Sequence, residues 1–178
     1  MELDKLEQLC AQRRLVHLER PLIDEGADVK GYLLEAGDEW ILVNEVSDFH
    51  LNGHCAIRRA DVESVRRGRY ERILEAILRK EGVRAAAQLT FPLRLDSTQD
   101  MFADLVGVEQ NMILEGEIED SEFFYIGRLV RVGKKSLSIH HFDASGRWDQ
   151  IPSLVSFDNI TRVTFGSEYI RIFSKYTR

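Results

Sequence analysis

The sequence predicts a mainly β protein with flanking helices, built as two tandem copies of one small five-stranded module, each opened by a helix. Three observations carry this. Leu18-Glu19 stands ahead of Gly31 as Leu114-Glu115 stands ahead of Gly127, at identical spacing. The next glycine follows at the same interval in both copies, Gly31 to Gly37 and Gly127 to Gly133. Around these landmarks apolar residues alternate with polar ones, the pattern of half-buried antiparallel strands. Self-similarity at a fixed period is the signature of a repeated structural unit.

Each element follows in turn. Leu3, Leu6, Leu9 and Cys10 share one face of a predicted helix over residues 2–13. Strands are predicted near 14–20, 28–36, 40–47, 54–59 and 62–66. Gly37 and Gly133 lie between β-patterned runs, where a tight turn calls for a positive φ. Tyr70, Ile73, Leu74, Ile77 and Leu78 then follow helical spacing and predict one buried face, with Gly82 at the helix end. Residues 85–95 join the copies, and Pro92 limits helix there. No long flexible linker intervenes, so the modules are expected to touch. The boundaries are 1–90 for the first module, with its C-terminal amphipathic helix, and 91–178 for the second.

In the second copy, Met101, Phe102, Leu105 and Val106 share a helix face, with Asp96 or Ser97 as N-cap. Strands are predicted near 112–118, 122–132, 135–142, 148–156 and 160–165. Asp61-Val62-Glu63-Ser64-Val65 aligns with Asn159-Ile160-Thr161-Arg162-Val163, and a tyrosine follows each, Tyr70 and Tyr169. There the copies are expected to diverge. The first continues as a helix, whereas Tyr169-Ile-Arg-Ile-Phe reads as a last strand.

The bulk numbers are those of a globular chain. Hydrophobic residues make up 44% of the 178 residues and charged residues 30%. The net charge of −6 is spread along the chain. No segment is strongly basic, which weighs against binding dominated by nucleic-acid phosphates. Cys10 sits in a helical pattern and Cys55 in an apolar strand, and both read as buried free thiols, with a disulfide as the alternative. The first twenty residues are charged, and no stretch approaches the ~18 apolar residues of a membrane span. The expected location is the cytoplasm, without membrane contact.

A leading helix, five short strands and a sharp turn before the last strand resemble the Sm-like fold, a small bent β-barrel. Gly31-Tyr-Leu and Gly127-Arg-Leu are similar to the Gly-x-Leu of Sm proteins, and Ala60-Asp61-Val62 and Asp158-Asn159-Ile160 occupy the turn into the last strand. The whole chain resembles a bacterial family of tandem Sm-like proteins. Tyr125-Ile-Gly-Arg-Leu, Trp148 and the run Asp158 to Tyr169 carry that likeness. The resemblance implies RNA-contacting loops at two places. The first reads Gly37-Asp38-Glu39-Trp40 or Gly133-Lys134-Lys135-Ser136, without the family's Asp–Asn pair. The second reads Ile57-Arg58-Arg59-Ala60 or Val155-Ser156-Phe157-Asp158, with Arg58 at the family arginine but no following glycine. The family's RNA site therefore does not carry over.

Four groups could carry chemistry. Asp48, His50, His54 and Cys55 are metal-ligand types, at spacings that match no standard metal motif. His140, His141 and Asp143 form a second cluster. Neighbouring strand residues face opposite ways, so only His141 and Asp143 could cooperate. Ser136, Ser138 and Ser145 sit nearby, but none lies in a recognisable nucleophile motif. Arg58, Arg59, Arg66, Arg67, Arg69 and Arg72 surround Tyr70, an arrangement that can bind phosphates and stack bases. Asp61, Glu63, Glu71 and Glu75 offset that charge. Phe123, Phe124, Tyr125, Phe142 and Trp148 are expected to pack on neighbouring strands. No phosphate loop, dinucleotide fingerprint or paired-carboxylate motif occurs.

The expected function is non-enzymatic, that of a binding or adaptor protein without cofactor or metal. A protein partner is favoured over RNA, and a homodimer is plausible because open sheet edges invite strand addition. One alternative is RNA binding through Arg58, Arg59, Arg66, Arg67 and Arg69. The other is an enzyme or metal protein using a His/Asp cluster.

Overall fold

The computed structural model describes residues 3–21, 23, 27–108 and 111–178. The side chain of Leu3, assigned above to the first helix face, lies outside the described part, as do residues 1–2.

Among the described residues ten strands form one antiparallel sheet. In chain order they are β1 (Leu15–Glu19), β2 (Val29–Ala36), β3 (Trp40–Ser47), β4 (His50–Arg58), β5 (Ser64–Arg66), β6 (Met112–Gly116), β7 (Phe123–Val132), β8 (Ser136–Phe142), β9 (Ser153–Ser156) and β10 (Arg162–Phe165). Four α-helices flank them: α1 (Leu3–Ala11), α2 (Arg69–Lys80), α3 (Thr98–Val106) and α4 (Glu168–Phe173). The spatial order is β5-β1-β2-β3-β4-β10-β6-β7-β8-β9. Each half thus runs last strand, first, second, third, fourth, and the halves meet where β4 pairs with β10.

Details of the two halves coincide. Gly31 of β2 lies opposite Glu45, and Gly127 of β7 lies opposite His141. A Cβ at Gly31 would sit 2.4 Å from the Asn44 carbonyl oxygen, and one at Gly127 only 2.0 Å from that of His140. Close backbone approach therefore demands glycine at both. Two residues on, both strands shift register, between Leu33 and Glu35 and between Leu129 and Arg131, and such bulges bend a strand. Short 3₁₀ turns, Arg59–Asp61 and Phe157–Asn159, precede the last strand of each half. Gly37 and Gly133 depart from expectation, for neither has a positive φ. Gly37 is fixed by crowding instead: a Cβ there would meet the Leu95 carbonyl carbon at 2.4 Å.

The halves share a core. Trp40, Leu42 and Ala56 of the first half pack in one buried cluster with Met101, Phe102, Leu105, Leu114 and Val163 of the second. Trp40 meets the Phe102 ring edge-on at 6.4 Å and donates from Nε1 to Thr98 Oγ1 at 2.9 Å. Leu6, Val16, Leu33, Ile41, Cys55 and Ile57 form a separate core in the first half. Ser97 is the N-cap of α3, its Oγ accepting from the Asp100 amide. Val106, assigned above to the buried face, is exposed.

Two other expectations are corrected. Tyr169 to Phe173 is helical, so the copies do not diverge at their tyrosines. Gly166, at φ 63°, ends β10, and Ser167 Oγ then accepts from the Ile170 amide at 3.2 Å, the bond of an N-cap. The run Tyr-Ile-Arg-Ile-Phe fits period 2 and helical spacing about equally, and the cap decides. The second correction concerns α2, which is rotated from the predicted face. It buries Glu71, Glu75 and Leu78, with Leu74 half-buried, and leaves Tyr70, Ile73 and Ile77 exposed. Glu71 accepts from the Gly68 amide at 2.6 Å and lies 3.3 Å from Arg66, while Glu75 lies 2.6 Å from Arg67. These charge-assisted contacts near the helix start set its rotation.

Candidate functional site

The six arginines do not form one free basic patch. The Arg58 guanidinium stacks over Trp40 at 4.9 Å and donates to the carbonyls of Ile160 and Phe157. Arg59 donates to the Gly37 carbonyl at 3.0 Å. Arg66 lies against Glu19 and Glu71, and Arg67 against Glu75. Arg69 and Arg72 are exposed on α2. The arginines named for RNA thus divide between the joint, where Arg58 ties the two halves, and the seat of α2.

The histidine clusters also disperse. Among the described residues no group of three or more His, Cys, Asp or Glu could hold a metal ion. Asp48 and Phe49 take positive φ in the β3–β4 turn, and His50 Nδ1 lies 2.6 Å from the Asp48 carbonyl. His54 stacks on Phe165 at 5.1 Å, and burial there lowers its pKa from the ordinary value. Cys55 is fully buried, and that burial pushes its thiol up to about 12. His141 does not meet Asp143. Its ring stacks on Tyr125 at 4.1 Å, and its Nε2 lies 2.9 Å from Ser153 Oγ and 3.0 Å from Asp149. A serine–histidine–aspartate relay needs the hydroxyl and the carboxylate on different ring nitrogens. Here both face Nε2. Asp143 instead accepts from Ser145 and Arg147 within its own turn.

An open cleft of about 390 Å³ lies at the joint, lined by Arg58, Lys134, Lys135, Asp158 and the start of α3. A helix N-terminus beside lysines attracts anions. Here Glu39 occupies that role, accepting from the Thr98 amide at 2.7 Å and from its hydroxyl at 2.5 Å. The Thr98 amide is thus answered by a carboxylate of the chain itself, and the Asp100 amide by the Ser97 hydroxyl.

The ends of the sheet are different. β9 pairs with β8 through Ser136↔Ser156, Leu137↔Val155, Ser138↔Leu154 and Ile139↔Ser153, and among the described residues no strand pairs with its other side. Leu154 is 75% exposed and Ile151, just before the strand, 77%. At the opposite end, among the described residues, β5 pairs with β1 alone, through Leu18↔Val65 and its neighbours. Sequence reasoning did not single out Ile151 or Leu154. The available signal was Leu154-Val155, two adjacent apolar residues in one strand. Successive side chains point to opposite faces, so both are buried only if both faces are covered.

No family model matches the chain, and no match to it was found among curated proteins or solved structures.

Proposed function

We propose that this chain is a non-enzymatic binding or adaptor protein built from two Sm-like halves, and that it takes a protein strand on the open edge of β9. The strand order repeated in both halves, the matched bulges of β2 and β7 and the matched 3₁₀ turns support the Sm-like reading. The observation that carries the docking reading is the exposure of Leu154 on an unpaired strand. Unpaired edge amides and carbonyls are a template for an incoming strand, and alternate side chains supply selectivity. RNA binding is the weaker reading, because Arg58, Arg59, Arg66 and Arg67 are engaged within the protein. The location proposed with it is the cytoplasm. Among the described residues no helix is long and apolar enough to cross a membrane.

The test is affinity capture from the native cell with the wild-type chain and with Leu154→Glu side by side. Protein captured by the wild type and lost from the variant, with amides 153–156 protected from exchange in the complex, is the expected result. Equal capture by both, or RNA as the retained material, overturns the reading.

A further inference from the structure

We infer that the outward face of α2 rests on the surface of an anionic lipid bilayer. Tyr70, Ile73 and Ile77 enter the headgroup layer, and the cations beside them meet lipid phosphates. This surface lies apart from β9 and does not rest on the docking reading above.

The face follows from the rotation of α2. Glu71, Glu75 and Leu78 are turned inward with Leu74 half-buried, and the other large side chains are turned out. Tyr70 is 80% exposed, Ile73 47% and Ile77 39%. At 3.6 residues per turn these three fall within about 60° of one another around the axis, a continuous apolar stripe. Arg69, Arg72, Arg79 and Lys80 are exposed and fill the adjoining arc of about 100°. Among the described residues the salt bridges of this helix go to Arg14, Arg66 and Arg67 instead.

Charge says what covers the stripe. The carboxylates of α2, Glu71 and Glu75, are both buried. Glu71 is answered by Arg66 and the Gly68 amide, and Glu75 by Arg14 and Arg67. The charge on the outward face is therefore all positive, although the chain carries −6 overall. The nearest exposed carboxylate along the chain is Glu81, after the last turn. A bilayer surface offers hydrocarbon and phosphate side by side, which is what this face requires. A nucleic acid would leave the aliphatic Ile73 and Ile77 without a partner. Tyrosine is favoured at headgroup depth, and arginine and lysine stems lie along the acyl boundary with their charges in water. The acidic remainder of the surface is repelled by the same bilayer, so this face alone is presented to it. The contact is peripheral. At 12 residues α2 is too short to span, and its inner face stays packed with Leu15 and Tyr32.

Helix α4 is a comparison within the same molecule. It also exposes a tyrosine and an isoleucine, Tyr169 and Ile172. Its Arg171, however, is paired with Glu168 at 3.0 Å, so the charges of that helix cancel.

Co-sedimentation of the full chain with lipid vesicles tests this. Vesicles of phosphatidylcholine with about one-third phosphatidylglycerol should bind the wild type, and phosphatidylcholine alone should not. Binding should weaken as salt is raised. The double variants Tyr70→Ser with Ile73→Ser, and Arg72→Glu with Arg79→Glu, should each bind at least about tenfold more weakly. Tyr169→Ser with Ile172→Ser should bind as wild type does, and so should Leu154→Glu, which keeps this contact distinct from docking at β9. Every substituted side chain is exposed, so thermal melts of the variants should overlay that of the wild type. No binding to anionic vesicles at low salt overturns the inference, as does equal binding to neutral ones. So does binding lost in the arginine variant but kept in the Tyr70 and Ile73 variant, the mark of a purely electrostatic ligand such as RNA or an acidic protein. Loss in the α4 variant with both α2 variants unaffected overturns it as well.

Discussion

Arg20 and Glu117 join the two halves through a buried two-pronged ion pair, with Nη2 at 2.6 Å and Nη1 at 3.1 Å from the two carboxylate oxygens. Arg20 follows β1 of the first half and Glu117 follows β6 of the second. Arg20 is fully buried, donates also to the Ala27 carbonyl at 3.1 Å, and lies 3.8 Å from Asp61. Thr161 closes the network, its hydroxyl 2.5 Å from Glu117. A bidentate guanidinium–carboxylate pair fixes orientation as well as distance. It therefore sets how the halves meet at β4 and β10.

Removing one partner leaves a buried charge without its mate. Glu117→Ala is expected to destabilise the protein by about 3–5 kcal/mol. Urea unfolding should show a single transition at lower midpoint if the halves unfold as one unit. Separation into two transitions would contradict a single unit held also by the shared core and the β4–β10 pairing.

The rotation of α2 gives a sharp contrast between neighbouring apolar residues. Leu78 is buried and Tyr70 is 80% exposed. Leu78→Ala should cost about 2–5 kcal/mol through lost burial and a cavity. Tyr70→Ser should stay within about 0.5 kcal/mol of wild type. Thermal melts of the two variants check this, and equal losses would contradict the observed helix face.

Gly127 is expected to tolerate no side chain. Its Cβ would collide with the His140 carbonyl oxygen, a backbone atom that cannot turn aside. Gly127→Ala should cost about 1–3 kcal/mol or more as β7 and β8 are forced apart. Gly82, at φ 76° with nothing within 4 Å of an added Cβ, is the control for conformational strain without crowding.

His54 should make stability depend on pH near neutrality. Burial beside Phe165 disfavours its imidazolium, so its folded pKa lies below the ordinary 6.5. As pH falls below 6.5 the unfolded chain takes up the proton first, and stability declines until folded His54 is itself protonated. Above that window its contribution is constant. His54→Phe keeps a ring against Phe165 without the titration. Chemical unfolding at about pH 7.5 and about pH 5.5 should show a smaller pH-dependent loss in the variant.

The two thiols should react in order. Burial pushes Cys10 up to about 11 and Cys55 up to about 12, and Cys10 is only half-buried. A thiolate-selective alkylating agent should modify Cys10 slowly and Cys55 only on unfolding. Prompt labelling of Cys55 in the native protein would contradict its place in the core.

Much of the fold was legible because it is local and repeated. Gly31 and Gly127, the alternating strands and the cap at Ser97 are fixed by short-range sterics and hydrogen bonds, whereas the cap at Ser167 went unread and the helix it starts reads as a strand in sequence. The faces of the helices were not legible in the same way. Glu71 and Glu75 are polar in any sequence pattern, and only Arg66, Arg67 and the Gly68 amide make their burial favourable. The histidine and arginine groups looked like sites because they are close in sequence, yet strand alternation and pairing send their members to different neighbours. The candidate edge went unnoticed for the converse reason, since Leu154 is an ordinary apolar residue until its strand proves to be the last.

By itself the sequence determined a mainly β chain with flanking helices, where most strands lie, and that the Leu-Glu and glycine landmarks at Leu18–Gly37 recur at Leu114–Gly133. Tertiary structure alone decided that the strands of both halves join in one sheet and one core through β4 and β10, that residues 168–173 form helix α4, and that among the described residues β5 and β9 are the end strands. Periodicity and caps act within a few residues, whereas the pairing of Ala56 with Val163 and of Arg20 with Glu117 spans most of the chain. Contacts at that separation leave no local pattern, and which strand becomes an edge depends on where pairing stops.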